Sequence, residues 1–156
     1  MWFIRKKQRE AMEQKFYHIS IKGGLRADAE LYNDQKDDTF RISYHNDCPV
    51  HEEFDMAMQN FAFHVEEVTG MKYKNLHIDS FLRVPSGDSE LITIYAHLAT
   101  RGYASPTNLA VRIHLGRDEY PWAERLTEDI LLCEVEALKY IKKGKRLGMN
   151  EFLIAA

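Results

Sequence analysis

Apolar and polar residues alternate with a period of two in two blocks of the chain, and this period is typical of half-buried β-strands. Each block contains three such segments, and the blocks begin near Lys15 and Leu76. The alternation assigns one row of side chains in each segment to the core. The predicted inward-facing rows are Tyr17, Ile19 and Ile21; Leu25, Ala27, Ala29 and Leu31; Phe40, Ile42 and Tyr44; Leu76, Ile78, Leu82 and Val84; Ile92, Ile94, Ala96 and Leu98; and Leu109, Val111, Ile113 and Leu115.

The turn between the first two segments follows from which residues must share a face. A two-residue Gly23-Gly24 turn would put the two apolar rows on opposite faces of the sheet. A three-residue loop, Gly23-Gly24-Leu25, instead pairs Ile21 with Ala27 and keeps both rows on one face. We therefore predict this three-residue loop, with a glycine at a positive φ angle.

A helical period follows each block of strands. The first helix carries an apolar stripe that runs from Phe54 to Val68, and Gly70 ends it. The last helix begins near Pro121 and ends in the cationic stretch 142–146. The order is therefore βββα-βββα. The predicted fold is an α+β domain in which two helices pack on one face of an antiparallel sheet.

The chain has 156 residues, which is the size of one ordinary domain. We predict an N-terminal arm over 1–14, a single α+β domain over 15–149 and a short C-terminal tail over 150–156. No apolar run approaches the length of a membrane span, and the N-terminus lacks the pattern of a signal peptide. These features predict a cytoplasmic protein without a membrane partner.

Charge and cysteine content narrow the classes of function. The formal net charge of −3 gives no global basic field for nucleic acid or for an anionic membrane. The two cysteines, Cys48 and Cys133, lack zinc-site spacing, so neither a metal nor a cofactor is predicted. Asp47 or Cys48 is predicted to cap the first helix. A thiol at a helix N-terminus tends toward a lowered pKa, but a small capping residue is the favoured interpretation of Cys48.

Polar side chains of the second block should meet on the outer face of the sheet. If Ile78 pairs with Ala96, then His77 lies opposite His97 and Asp79 lies opposite Tyr95. A short second loop would place Tyr95 beside Arg112, and Thr93 beside His114. The expected cluster consists of His77, Asp79, Tyr95, His97 and Arg112.

Three interpretations of this face compete. The favoured one is a solvated or partner-covered sheet face. The second is a nucleic-acid platform, in which aromatic rings stack on bases and cations contact phosphate. Its predicted binding residues are Phe81, Arg83, Tyr95, His97, Arg112 and His114.

The third interpretation is a hydrolase with His77, Asp79 and His97 as its candidate catalytic residues. No motif supports it. His18-Ile19-Ser20 matches one half of the paired motif of two-histidine phosphoesterases, but nothing in the second half of the chain completes the pair. His18, His51 and His64 belong to no recognisable constellation.

The last helix has two apolar stripes, although one is enough to cover a sheet. The first stripe comprises Trp122, Leu126, Ile130, Cys133, Ala137, Tyr140 and Ile141. The second comprises Leu131, Val135 and Leu138, and it needs another partner. The N-terminal segment or the other helix would serve, but a second copy of the chain is the favoured partner, because two-fold homodimers are the commonest assemblies.

The second half resembles small uncharacterised proteins carried by bacteriophages and prophages. The resemblance lies in Ile92-Thr93-Ile94-Tyr95-Ala96, in the strand 109–113 and in the acidic helix from Tyr120 to Arg146. It covers residues 74–146 and transfers no catalytic residue. It implies a phage-borne accessory protein in the cytoplasm of the host cell.

The leading hypothesis is therefore a non-enzymatic accessory or binding protein that works as a homo-oligomer, with a host protein as a further possible partner. A nucleic-acid-binding protein of phage DNA metabolism is the alternative, and the His/Asp hydrolase comes third.

Overall fold

The computed structural model describes residues 14–33, 37–99 and 105–143. It is an α+β fold built on one six-stranded antiparallel sheet, with the strand order β3-β2-β1-β4-β5-β6. The predicted arm, apart from its last residue, and the predicted tail lie outside the described residues. The elements are β1 Gln14–Ser20, β2 Leu25–Asn33, β3 Asp38–Asn46, α1 Glu52–Gln59, α2 Ala62–Thr69, β4 Leu76–Ser86, β5 Ser89–Leu98, β6 Thr107–Leu115 and α3 Ala123–Lys143.

One core joins the inner face of the sheet to all three helices. Side chains from both halves of the sheet meet Phe54, Phe61 and Leu126 in a single apolar cluster. The polar partners of these strand residues alternate onto the opposite, outer face. The fully buried strand residues include Ile19, Ala27, Ala29, Ile78, Phe81, Ile92 and Ile94.

A β-bulge changes which residue of β1 enters the core. Phe16 pairs with Ala29, His18 pairs with Asp28, and Tyr17 is the extra residue between them. Phe16 is therefore buried, and Tyr17, which was predicted to face inward, is only partly buried. An extra residue in one strand reverses the alternation beyond it. Before Tyr17 the even-numbered Phe16 faces the core, and after it the odd-numbered Ile19 and Ile21 do.

The first hairpin loop is confirmed in its glycine conformation but not in its register. Ile19, not Ile21, pairs with Ala27. If this register continues by one more pair, Ile21 lies opposite Leu25. The loop between them then consists of three residues, Lys22, Gly23 and Gly24. Gly23 and Gly24 have φ angles of 73° and 119°, as predicted for a loop that needs positive φ.

A second bulge lies in β4 and corrects the predicted inner row there. Ile78 pairs with Ala96, as predicted, but the next pair is Ser80 with Tyr95, so Asp79 is the extra residue. Beyond Asp79 the faces are exchanged. Phe81 enters the core, and Leu82 and Val84, predicted to face inward, lie on the outer face.

The helix between the two blocks is broken, so the predicted βββα-βββα order is not matched. There are two helices there, α1 and α2, and the order is βββααβββα. Of the predicted stripe residues, Val68 is exposed, and the other four are buried: Phe54, Met58, Phe61 and Val65. Gly70 ends α2 with φ 69°, and its N–H donates to the carbonyl of Glu66 at 2.8 Å, as predicted.

The N-cap of α1 differs from the prediction. It is His51, whose Nδ1 accepts a hydrogen bond from the N–H of Glu53 at 3.1 Å. Asp47 and Cys48 precede the helix by several residues and do not cap it. At the other end of α1, the Gln59 amide donates to the carbonyl of Ile78 at 3.0 Å and accepts from its N–H at 2.8 Å. This double contact anchors α1 on β4 beside the bulge.

Helix α3 buries most of the first predicted stripe, but Trp122, which precedes the helix, is 41% exposed. Much of the second stripe is also exposed. Leu126, Ile130, Cys133 and Ala137 are buried, whereas Leu131 is 59% exposed. Among the described residues, no helix combines the length and the apolar character needed to span a bilayer.

Candidate functional site

The outer face of the sheet carries two neighbouring rows of side chains that cross all six strands. Cross-strand neighbours in such rows lie about 5 Å apart. The first row is Ser43, Asp28, His18, Leu82, Thr93 and Arg112. The second row is His45, Arg26, Ser20, Ser80, Tyr95 and Ala110.

Asp28 is the centre of a polar cluster in the first row. It accepts hydrogen bonds from Ser43 Oγ at 2.5 Å, from His18 Nδ1 at 2.9 Å and from Arg26 Nε at 3.3 Å. Burial alone would raise the pKa of this carboxyl group, but the hydrogen bonds and the positive charge outweigh burial and lower the pKa. The carboxylate is therefore ionised and holds His18 in place.

The contact with Asp28 also sets the tautomer of His18. With Nδ1–H donating to the carboxylate, the neutral ring keeps a lone pair on Nε2. Nε2 makes no hydrogen bond with any of the described residues. An acceptor held in a fixed orientation in this way can bind a ligand proton or act as a base.

These residues border a shallow, wide-open depression of ≈ 500 Å³ on the outer face. The guanidinium group of Arg41 lies over the ring of Tyr17 at its edge, 5.4 Å from the ring centre. The depression is lined by Tyr17, His18, Arg26, Asp28, Ser80, Leu82 and Tyr95.

The predicted cluster of the second block forms in part. His77 lies opposite His97 with ring centres 5.1 Å apart, and Nδ1 of His97 lies 2.8 and 2.9 Å from the two carboxylate oxygens of Asp79. Tyr95 is two residues away on the same face. Arg112 pairs with Thr93, about 13 Å along the strand from His97, so it does not join the cluster.

Two of the six predicted nucleic-acid contacts lie on the wrong face. Phe81 is buried against Phe61, with ring centres 5.1 Å apart. Arg83 faces the helices, where it pairs with Glu90 and with Glu134 at 2.9 Å. Burial would lower the pKa of Arg83, but these carboxylates raise it. The bulge at Asp79 causes both errors, because it moves each following residue of β4 to the other face.

The other four predicted contacts lie on the outer face. Tyr95 is 37% exposed and Arg112 is exposed, whereas His97 and His114 are partly buried. Nδ1 of His114 is buried and has no hydrogen-bond partner within the described ranges. These four residues are spread along β5 and β6 and do not form one compact site.

His64 belongs to a buried polar triad that its sequence context does not indicate. Its Nδ1 lies 2.6 Å from the hydroxyl of Tyr120, and its Nε2 lies 2.6 Å from Asp129 Oδ2. Burial lowers the pKa of His64 and raises the pKa of Tyr120 to about 12. The triad joins α2, the β6–α3 loop and α3, so it has a structural role.

The two cysteines lie in different surroundings, one at the surface and one in the core. Cys48 is exposed in the loop before α1, and its N–H donates to Asn46 Oδ1 at 2.9 Å. Burial raises the pKa of the Cys133 thiol in the core. Within the described parts of the chain, no group of three His, Cys, Asp or Glu side chains is placed to hold a metal ion.

The predicted oligomer surface lies on the opposite side of the molecule from the depression. Leu131 and Val135 are exposed on α3, and Leu138 is half-buried against the core. Glu124, Glu128 and Lys142 are exposed near them.

Comparisons with protein-family models, with curated proteins and with solved structures found no match to this chain.

Proposed function

We propose that this protein is a non-enzymatic binding protein that works as a two-fold homodimer assembled through α3. The exposed apolar stripe on α3 carries the proposal. Leu131 is 59% exposed and Val135 is 42% exposed, although the helix already buries another stripe, from Leu126 to Tyr140, against the sheet. Neighbouring apolar side chains left in water on a 21-residue helix favour a protein partner.

The spacing of the stripe fits a second copy of the same helix. Six positions follow one another at intervals of four, three, four, three and four residues, as in a helix that packs along another helix. They are Glu124, Glu128, Leu131, Val135, Leu138 and Lys142.

Charge along this stripe is complementary for an antiparallel arrangement. A two-fold axis close to Cys133 would place Leu131 of one chain beside Val135 of the other. The same axis would place Glu124 beside Lys142, so that each end of the contact gains an opposite-charge pair. A parallel arrangement would instead place identical charges side by side.

The experiment is a mass measurement by sedimentation velocity at micromolar concentration. We expect twice the 18.3 kDa mass of the chain for the wild type, and a single-chain mass for a Leu131→Glu/Val135→Glu variant. Val84→Glu is the matched control, because Val84 is an equally exposed valine, at 42%, on the other side of the sheet. A single-chain mass for the wild type would refute the proposal.

A charge exchange tests the antiparallel geometry itself. Glu124→Lys and Lys142→Glu should each weaken the dimer, because each creates two like-charge contacts. The double variant should recover the wild-type mass. Failure of the double variant to recover would exclude this pairing even if the chain is dimeric.

The two other hypotheses have less support. A nucleic-acid platform loses Phe81 and Arg83 from the six residues proposed for it, since both face the helices. A gel-shift series against salt remains its test, because phosphate contacts make log affinity fall linearly with log salt. An origin in a phage or another mobile element rests on the resemblance of residues 74–146 alone.

A further inference from the structure

The depression around His18 lies on the face opposite the proposed dimer contact. Its foundation is Asp28, whose side chain is only 6% exposed and accepts three hydrogen bonds. A bare sheet face needs no carboxylate buried this deeply, since burial of a charge costs free energy unless donors surround it. The arrangement fixes the orientation of His18 and of the exposed Arg26 above it.

The groups that remain for a ligand are mostly hydrogen-bond donors. Arg26 uses Nε for Asp28, and its two terminal nitrogens make no hydrogen bond with the described residues. Ser80 and Tyr95 are direct cross-strand neighbours, and neither hydroxyl is hydrogen-bonded to a described residue. Three donors that converge on one depression suit an oxyanion, and a guanidinium group recognises phosphate or carboxylate through two parallel hydrogen bonds.

The number of contacting groups distinguishes between these two oxyanions. Because Asp28 holds Nδ1 of His18, only Nε2 of that ring is left to face a ligand beside the three donors. A carboxylate offers two oxygens to these four groups. A phosphate monoester offers three oxygens and a larger negative charge, and therefore suits them better.

The walls of the depression point to the rest of the ligand. The ring of Tyr17 and the side chain of Leu82 give one side of it an apolar surface. Aromatic and apolar groups pack on such surfaces, whereas polar groups near them fix orientation.

We propose that the depression binds small phosphate monoesters that carry an aromatic or apolar group, with Arg26, Ser80 and Tyr95 donating to the phosphate oxygens and His18 contacting them through Nε2.

The test is isothermal titration calorimetry with phenyl phosphate, and with inorganic phosphate and benzoate as comparison ligands. We expect phenyl phosphate to bind one site per chain, inorganic phosphate to bind more weakly, and benzoate not to compete. His18→Gln and Arg26→Gln should each weaken phenyl phosphate about tenfold or more, because each removes a hydrogen bond to a charged group. Tyr95→Phe should weaken it by a smaller factor.

Arg112→Gln is the matched control, because Arg112 is an exposed arginine in the same row as His18 but outside the depression. It should bind like the wild type. If His18→Gln fails to fold, Arg26→Gln and Tyr95→Phe, which alter exposed side chains, decide the question.

Several results would overturn the proposal. The first is the absence of saturable phenyl phosphate binding up to about 10 mM, which is weaker than any useful affinity. The second is benzoate binding as tight as that of phenyl phosphate. The third is a loss of phenyl phosphate affinity in Arg112→Gln as large as that in Arg26→Gln. The Leu131→Glu/Val135→Glu variant should retain the ligand site, so failure of the dimer and failure of the site are separate outcomes.

Discussion

The buried imidazole of His64 should make the stability of this protein sensitive to mild acid. His64 is fully buried, and burial lowers its pKa below the ordinary value of 6.5. As pH falls through 6.5, the unfolded chain therefore takes up a proton at His64 that the folded chain does not. Folding stability from this residue is complete above that pH and is lost as pH falls below it.

The size of the effect follows from this proton difference. Between pH 7.5 and 5.5, an unfolded histidine gains most of one proton, whereas a folded His64 that stays neutral gains none. The resulting loss is at most about 1.4 kcal/mol for the two-unit interval. The neutral form also fits the hydrogen bonds, since Nε2–H can donate to Asp129 while Nδ1 accepts from the hydroxyl of Tyr120.

Urea unfolding at pH 7.5 and 5.5 measures the loss. The wild type should lose up to about 1.4 kcal/mol more on acidification than His64→Gln, which has no titrating group at that position. Tyr120→Phe should be less stable by about 1–3 kcal/mol at both pH values, because it leaves Nδ1 of His64 without a partner, but it should keep the wild-type pH dependence. An acid loss in His64→Gln equal to or larger than that of the wild type would refute the reasoning. It would mean that the folded imidazole is charged and paired with Asp129.

Two further pairs of substitutions test the fold by the same unfolding assay. Gly24→Ala should lower the free energy of unfolding by about 3 kcal/mol or more, because a Cβ there would lie 2.0 Å from the carbonyl oxygen of Asn46. In Gly23→Ala the Cβ meets no atom within 4 Å, so the loss should be only about 1 kcal/mol, which comes from the positive φ. Phe81→Ala should cost about 3–5 kcal/mol, as for a buried core aromatic, and Tyr95→Ala on the other face less than about 1 kcal/mol. Equal losses within either pair would contradict the assigned loop geometry or the assigned faces.

Alternation predicted the strands well but could not by itself show where the alternation is interrupted. In β4 the predicted inner row ran through Ile78 and Leu82 and therefore placed Ser80 inside as well. Ser80, a polar residue at a position assigned to the core, was the available sign of a bulge. If the faces are exchanged after Asp79, Ser80 moves to the outer face and the inner row continues with Phe81. That single extra residue decides whether Phe81 is a surface ring or part of the core.

The His18 cluster was missed because the predicted register was wrong by two residues. The predicted pairing put His18 opposite Glu30, but the observed pairing puts it opposite Asp28. A shift of two preserves the faces, so the hydrophobic pattern cannot detect it. The position of the loop decides the register, because Gly24 must pack against the backbone of Asn46, where no Cβ fits.

The break between α1 and α2 also left no sign in the pattern. Phe54, Met58, Phe61 and Val65 are all buried, and their spacing is that of one continuous helix. Neither glycine nor proline marks the interruption. Tertiary contacts mark it instead, because the Gln59 side chain hydrogen-bonds both backbone groups of Ile78 at the end of α1.

The two proposed surfaces are compatible because the sheet separates them. Helix α3 packs on the inner face, where Arg83 reaches it through Glu134, and its exposed stripe points away from the sheet. A partner that binds this stripe covers the helix side and leaves the outer face of each chain open. A two-fold dimer would therefore carry two depressions on opposite outer surfaces, each reachable by a small ligand. Ligand affinity should then be independent of protein concentration across the dimer dissociation range. If affinity instead rises with dimer formation, the contact must involve the outer face, and α3 cannot be the whole interface.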